Sequence, residues 1–146
     1  MAFSAIYDLV IDDRDVRIYS NGTGHPVLML PDLGSSAATW ESLTGEVVQN
    51  DRQLVAVDLP GTGHCDPVRG SDLDAFVDHT RRVVEHLTNE PIALVGCGFG
   101  GYLAASVAAQ DPHSSAGWCW RTLPCRHVPV PRSVPGCRPG WPSVVR

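Results

Sequence analysis

Lysine is absent from this 146-residue chain, so all eleven of its basic side chains are arginines. No run approaches the ~20 consecutive apolar residues of a membrane span. The N-terminal Met-Ala-Phe-Ser-Ala-Ile-Tyr-Asp has no basic region and no long apolar segment, so no secretory signal is expected and the default location is cytoplasmic. Residues 113–146 contain no acid at all, while residues 1–112 set sixteen acids against six arginines for a net −10. An acidic main part excludes the clustered positive charge of a nucleic-acid surface. The five arginines of the tail are scattered among prolines, so neither a nucleic acid nor a membrane is an expected partner. Paired cysteines are also lacking. The count of five is odd, and Cys119, Cys125, His127 and Cys137 show no short C-x-x-C pair. Neither a disulfide framework nor a zinc site is expected.

What is present alternates. Short apolar runs at 5–10, 16–19, 27–30, 54–57 and 92–95 read as strands. The later ones are apolar throughout, which suits strands buried on both faces. Helices are expected at 37–48, 71–87 and 100–110. In the second of these, Leu73, Phe76, Val77, Thr80, Val83, Val84 and Leu87 recur at three and four to form a core-facing stripe. Ser71 with Asp74 makes a capping-box-like start. The third stops ahead of Pro112. Strands alternating with helices through glycine-rich turns indicate an α/β fold with a largely parallel sheet.

Two regions follow: a folded part over 1–112 and a tail over 113–146. The tail holds six of the twelve prolines, three of the four tryptophans and three of the five cysteines. It is expected to be irregular or disordered. Its Arg, Pro, Gly, Trp and Cys richness is what GC-rich DNA gives in a shifted frame, with the shift expected near Asp111–Ser115.

Most chemical information lies in Pro91-Ile-Ala-Leu-Val-Gly-Cys-Gly-Phe-Gly-Gly-Tyr-Leu-Ala-Ala105, a strand, a sharp turn and a small-residue helix. Gly96, Gly98 and Gly101 satisfy G-x-G-x-x-G, the loop that seats a dinucleotide pyrophosphate on a helix N-terminus. Gly96 and Gly100 equally satisfy the frame of G-x-S-x-G, the nucleophile turn, with Gly98 at the serine position. The dinucleotide reading expects an acid ~20 residues further on, after a second strand. Trp118-Cys-Trp-Arg-Thr in that region supplies none.

From Gly24 to Pro112, about 60% of the chain, the sequence resembles the α/β-hydrolase fold family. Pro26-Val-Leu-Met-Leu-Pro-Asp-Leu-Gly-Ser-Ser-Ala-Ala-Thr-Trp40 is similar to the family's third strand and His-Gly-x-Gly loop. Val55-Ala-Val-Asp-Leu-Pro-Gly-Thr-Gly-His-Cys-Asp66 is similar to the strand and Asp-x-x-Gly-x-Gly-x-Ser loop that follow. Residues 72–87 fit the next helix, and Ile92-Ala-Leu-Val-Gly-Cys-Gly-Phe-Gly-Gly101 resembles the nucleophile elbow. The resemblance implies an ester or acyl hydrolase fold acting on small ester-like substrates, without a cofactor. It also assigns the two oxyanion-hole N–H groups to Leu33 and Phe99.

The departures bear on mechanism. Pro31 and Asp32 stand for the family's His-Gly, Cys65 for a serine, Cys97 for the common histidine and Gly98 for the nucleophile. The family's acid and histidine come from later elements, and the tail has no acid. The expectation is a truncated, catalytically inactive hydrolase-like protein. A retained oxyanion hole would by itself give ~10³–10⁴ over water. A dinucleotide-binding module and a non-catalytic binding or scaffold half-fold stand as alternatives. Cys97, one residue before the tip, is expected to be a buried inert thiol. His64, His79 and His86 are expected to be solvated or structural. Asp58 and Asp66 are expected to cap turns, and Ser35 and Ser36 to cap the helix that follows them. A sheet ending at its fifth strand would leave an apolar edge open to self-association.

Overall fold

The structure, a computed structural model, describes residues 3–49, 51–70, 72–110 and 115–121. Its strands are β1 (Ala5–Ile11), β2 (Arg14–Asn21), β3 (His25–Leu30), β4 (Arg52–Val57), β5 (Ile92–Cys97) and β6 (Ser115–Arg121). They form one sheet in the order β1-β2-β4-β3-β5-β6. β1 pairs antiparallel with β2 and β2 with β4. β4, β3, β5 and β6 run parallel. This is the mostly parallel α/β architecture expected from the alternation of elements.

Each of the first five strands extends one to four residues beyond its apolar run, because ladder pairing continues where hydrophobicity stops. The β1–β2 turn places Asp12 and Asp13 at φ 52° and 59°. That is the left-handed pair a two-residue hairpin requires, and aspartate tolerates it better than most residues.

The apolar strands are buried on both faces, and successive side chains explain how. Val27 and Met29 of β3, Leu54 and Ala56 of β4, and Ala93 and Cys97 of β5 pack on one side with Ala37 and Trp40. Leu28, Leu30, Val55, Val57, Ile92 and Leu94 pack on the other with Val77, Val83, Leu103, Ala104 and Val107. The first side is covered by a 3₁₀ helix (Ala37–Leu43) running into α1 (Thr44–Gln49). The sequence reads that segment as a single helix. The second side is covered by α2 (Leu73–Leu87) and α3 (Phe99–Gln110).

In α2 the expected stripe is buried at Val77, Thr80, Val83 and Val84, whereas Leu73 is exposed in the first turn. Asp72 is the N-cap, accepting a hydrogen bond from Ala75 N–H at 3.2 Å. The proposed capping partner Ser71 lies outside the described residues. His79 is buried, at 6% exposure, and is structural rather than solvated. Burial, then the Arg14 charge, hold its imidazole down at about 4, so it is neutral inside the fold at pH 7.

Among the described residues, the tail carries one regular element. β6 falls inside 113–146 and pairs in parallel with β5 from Ile92–Ser115 to Cys97–Arg121, with a register shift at Ile92/Ala93. The stretch 115–121 has no proline, the tail's six beginning only at Pro124, and Trp and Cys suit a strand. α3 serves as the crossover between the two strands. β5 is therefore interior, and the sheet edges are β1 and β6. β1 exposes Ile6 (59%) and Val10 (64%). Residues 111–114, which hold most of the expected frame-shift region, and residues 122–146, with Cys125, His127 and Cys137, lie outside the described residues.

Candidate functional site

The site sits where three parallel strands end. β3 delivers Pro31 and Asp32, β4 delivers Asp58, and β5 delivers Gly98. The carboxyl ends of parallel strands are where open α/β sheets carry their sites.

At the end of β5 the chain reverses into α3 with Gly98 alone between them, at φ 53°. Tyr102 N–H donates to the Gly98 carbonyl at 3.1 Å, the first bond of the helix. The flanking glycines are required by close approach. A Cβ on Gly96 would strike the Gly100 carbonyl, and a Cβ on Gly100 would strike the carbonyls of Leu30 and Pro31. This is the strained strand–turn–helix of a nucleophile elbow, pressed against the end of β3. Cys97, before the tip, is buried with Val27, Met29 and Trp40, as expected of an inert thiol.

Asp32 decides what the elbow can do. Its Oδ1 accepts Leu33 N–H at 2.8 Å and Phe99 N–H at 2.8 Å. Those are the two groups that the resemblance assigns to the oxyanion hole, and here both donate to the chain's own carboxylate. The same carboxylate stands where a side chain at position 98 would go, since a Cβ built on Gly98 lands on Asp32 Oδ1, Cγ and Oδ2. The sequence treats Asp32 and Gly98 as two separate departures from the family pattern. The structure places them against each other. The legible signal was complementary: a side chain appears at 32 where the family has glycine, and one disappears at 98.

Asp58 is more than a turn cap. It is buried, at 2% exposure. It accepts from Ala37 N–H at 2.8 Å, Tyr19 O–H at 3.2 Å and His64 N–H at 3.4 Å. Burial, then the Asp58 charge, raise the Tyr19 phenol above its ordinary value, which keeps it a donor. Ser36 occupies the N-cap position of the 3₁₀ helix without a side-chain cap bond, and the Ala37 N–H of the first turn goes to Asp58. Asp66 accepts Asp15 N–H at 2.9 Å, tying its loop to the β1–β2 hairpin. Cys65 is buried, and burial pushes its thiol up to about 12. His86 Nδ1 lies 2.8 Å from the Arg82 carbonyl on the exposed side of α2. None of these brings a base to the elbow.

Among the described residues no group of three or more His, Cys, Asp or Glu could hold a metal ion, and no helix is long and apolar enough to cross a membrane. The aromatic rings nearest the turn are Phe76 and Phe99, edge-to-face at 5.4 Å, and Tyr102, stacked on Phe99 at 5.9 Å.

The pattern of the alpha/beta hydrolase fold matches residues 25–116, more than half of the chain. The chain belongs to the α/β-hydrolase fold family. It is 30% identical over 125 residues to a pimeloyl-[acyl-carrier protein] methyl ester esterase of Shewanella woodyi, covering 85% of this chain and 46% of that protein. It is 28% identical over 100 residues to a 2-hydroxymuconate semialdehyde hydrolase of a Pseudomonas species, covering 66% and 35%. Among solved structures, an epoxide hydrolase of Vigna radiata superposes with a TM-score of 0.74 at 15% identity, over 80% of this chain and 37% of that one. The chain thus spans less than half the length of these hydrolases. The dinucleotide reading of Gly96, Gly98 and Gly101 is not favoured. The matching family model is that of the alpha/beta hydrolase fold, and the Phe99 N–H at the start of α3 already holds a carboxylate, whose charge would oppose a pyrophosphate.

Proposed function

We propose that this chain carries the α/β-hydrolase scaffold without serine-type ester hydrolysis. The observation that carries the reading is the elbow tip. Gly98 offers no nucleophile, and the space its side chain would use holds the Asp32 carboxylate. Acyl transfer needs an activated nucleophile, a base within hydrogen-bond reach and free donors for the developing oxyanion. The first is missing at position 98, and the third are engaged by Asp32. Even the residual acceleration of a bare oxyanion hole is therefore unavailable while Asp32 stays in place. The relatives' names place ester hydrolysis in this fold family, so the relevant test is a set of short-chain nitrophenyl and methyl esters. The expected rate with the 146-residue chain equals that with buffer. Saturable turnover that follows the protein through purification, and is lost on unfolding, would overturn the reading.

A further inference from the structure

β1 lies at one edge of the sheet, and among the described residues no strand pairs with its outer side. Edge strands are usually kept from pairing by lysine, proline, a bulge or an unpaired charge. The seven residues Ala5–Ile11 contain neither lysine nor proline. Their register with β2 runs without a shift from Ala5–Ser20 to Ile11–Arg14, so no bulge twists the edge away. The one charge of the strand, Asp8, is held by Arg17 Nε at 2.8 Å and Arg17 Nη2 at 3.1 Å. The edge therefore presents exposed apolar side chains and a neutral ion pair.

Those side chains complement their own reverse. Ile6, Asp8 and Val10 point to one face and Tyr7 and Leu9 to the other. A second copy, antiparallel and related by a two-fold axis through Asp8, sets Ile6 opposite Val10 of the copy and Tyr7 opposite Leu9 of the copy. Moving the axis to Tyr7 or to Leu9 would set Asp8 against Ile6 or Val10 instead. With the axis on Asp8, apolar residues meet apolar residues everywhere but at the centre. There the row Arg17–Asp8–Asp8–Arg17 is neutral, and only its middle pair repels. A partner of opposite charge has nothing to read, because Asp8 is already paired. We propose that β1 is a homodimer interface, in which two copies join edge to edge, antiparallel about Asp8, into one continuous sheet.

The test is sedimentation of the 146-residue chain over a concentration series under reducing conditions. Two edge strands meet over less than the about 1,200 Å² of a standard interface, so a reversible dimer with a Kd of about 10–100 µM is expected. Ile6→Lys and Val10→Lys should each weaken it at least about tenfold. Leu73→Lys, at an exposed leucine of α2, should leave it unchanged. Asp8→Asn removes the central repulsion and should tighten it about two- to fivefold. A chain that stays monomeric to about 300 µM overturns the proposal. So does a dimer that resists both lysine variants, that Leu73→Lys weakens as much, or that Asp8→Asn fails to tighten. If a lysine variant does not unfold cooperatively, amide hydrogen exchange on the wild-type chain decides. The β1 amides facing away from β2 are expected to exchange at least about fivefold slower far above the Kd than far below it. Equal rates at both concentrations overturn the proposal.

Discussion

Asp32 and Asp58 leave the ends of neighbouring strands, β3 and β4, and both spend their carboxylates on backbone N–H groups. They differ in burial and in the length of chain they tie together. Asp58 is buried and gathers β2, the start of the 3₁₀ helix and the glycine loop through three donors. Asp32 is half-buried and uses one oxygen to hold its own neighbour and the start of α3. The chemistry of the side chain is the same in both places. Burial makes one of them architecture, while the other fills a position that faces the site. A carboxylate next to a glycine turn is therefore not in itself a sign of catalysis.

The comparison is sharpest in stability. Asp58→Ala would strand the buried Ala37 N–H and release two half-buried donors, and a loss of about 2–4 kcal/mol is expected by denaturant unfolding. Asp32→Ala, whose released amides can reach water, should cost about 1–2 kcal/mol. Equal losses would break the contrast between the two aspartates.

Burial also sets the acid response. His79 has a folded pKa of about 4, below its ordinary 6.5, so between these values the unfolded chain binds the extra proton. The stabilisation is complete above pH 6.5 and drains as pH falls to about 4, by about 2–3 kcal/mol. The slope of unfolding free energy over that window measures it. His79→Leu should remove this part of the slope, and an unchanged slope would show that His79 is not the group responsible.

Position 98 tests the pairing with Asp32 directly. Gly98→Ser forces a side chain into the carboxylate and is expected to destabilise by about 1–3 kcal/mol. In an Asp32→Gly background the same change should cost about 1 kcal/mol less, read as the coupling in a double-mutant cycle. Additive effects would mean that the two positions do not share one space. At the small end, Asp8→Ala breaks an exposed pair with Arg17 at the β1–β2 hairpin. It should leave the unfolding midpoint unchanged within error, since exposed pairs contribute little.

Much of this was legible in the chain. The wholly apolar runs at β3, β4 and β5 required cover on both faces, and the three-and-four spacing of α2 located one of the covering helices. The glycines at 96 and 100 marked a turn of close backbone approach. Cys97 was correctly read as buried because it precedes the tip. Less was legible where partners come from distant segments. Ser36 looked like a side-chain cap but makes no cap bond, and Asp58, twenty-two residues later, holds the first amide of that helix. His79 was read as solvated or structural, and only its burial in the fold decides for the structural role. β6 was masked by the proline-rich composition around it, although its own seven residues contain no proline.

Sequence alone determined the α/β class, the family and a glycine at the tip of the turn, because these rest on residue type and local spacing. Only the tertiary structure brought the Leu33 and Phe99 N–H groups together on the Asp32 carboxylate. That outcome depends on Asp32 and Phe99, sixty-seven residues apart, meeting at the ends of the adjacent strands β3 and β5. Hydrogen bonds between loops are set by how strands pair, and nothing in the local chain around either residue states that pairing.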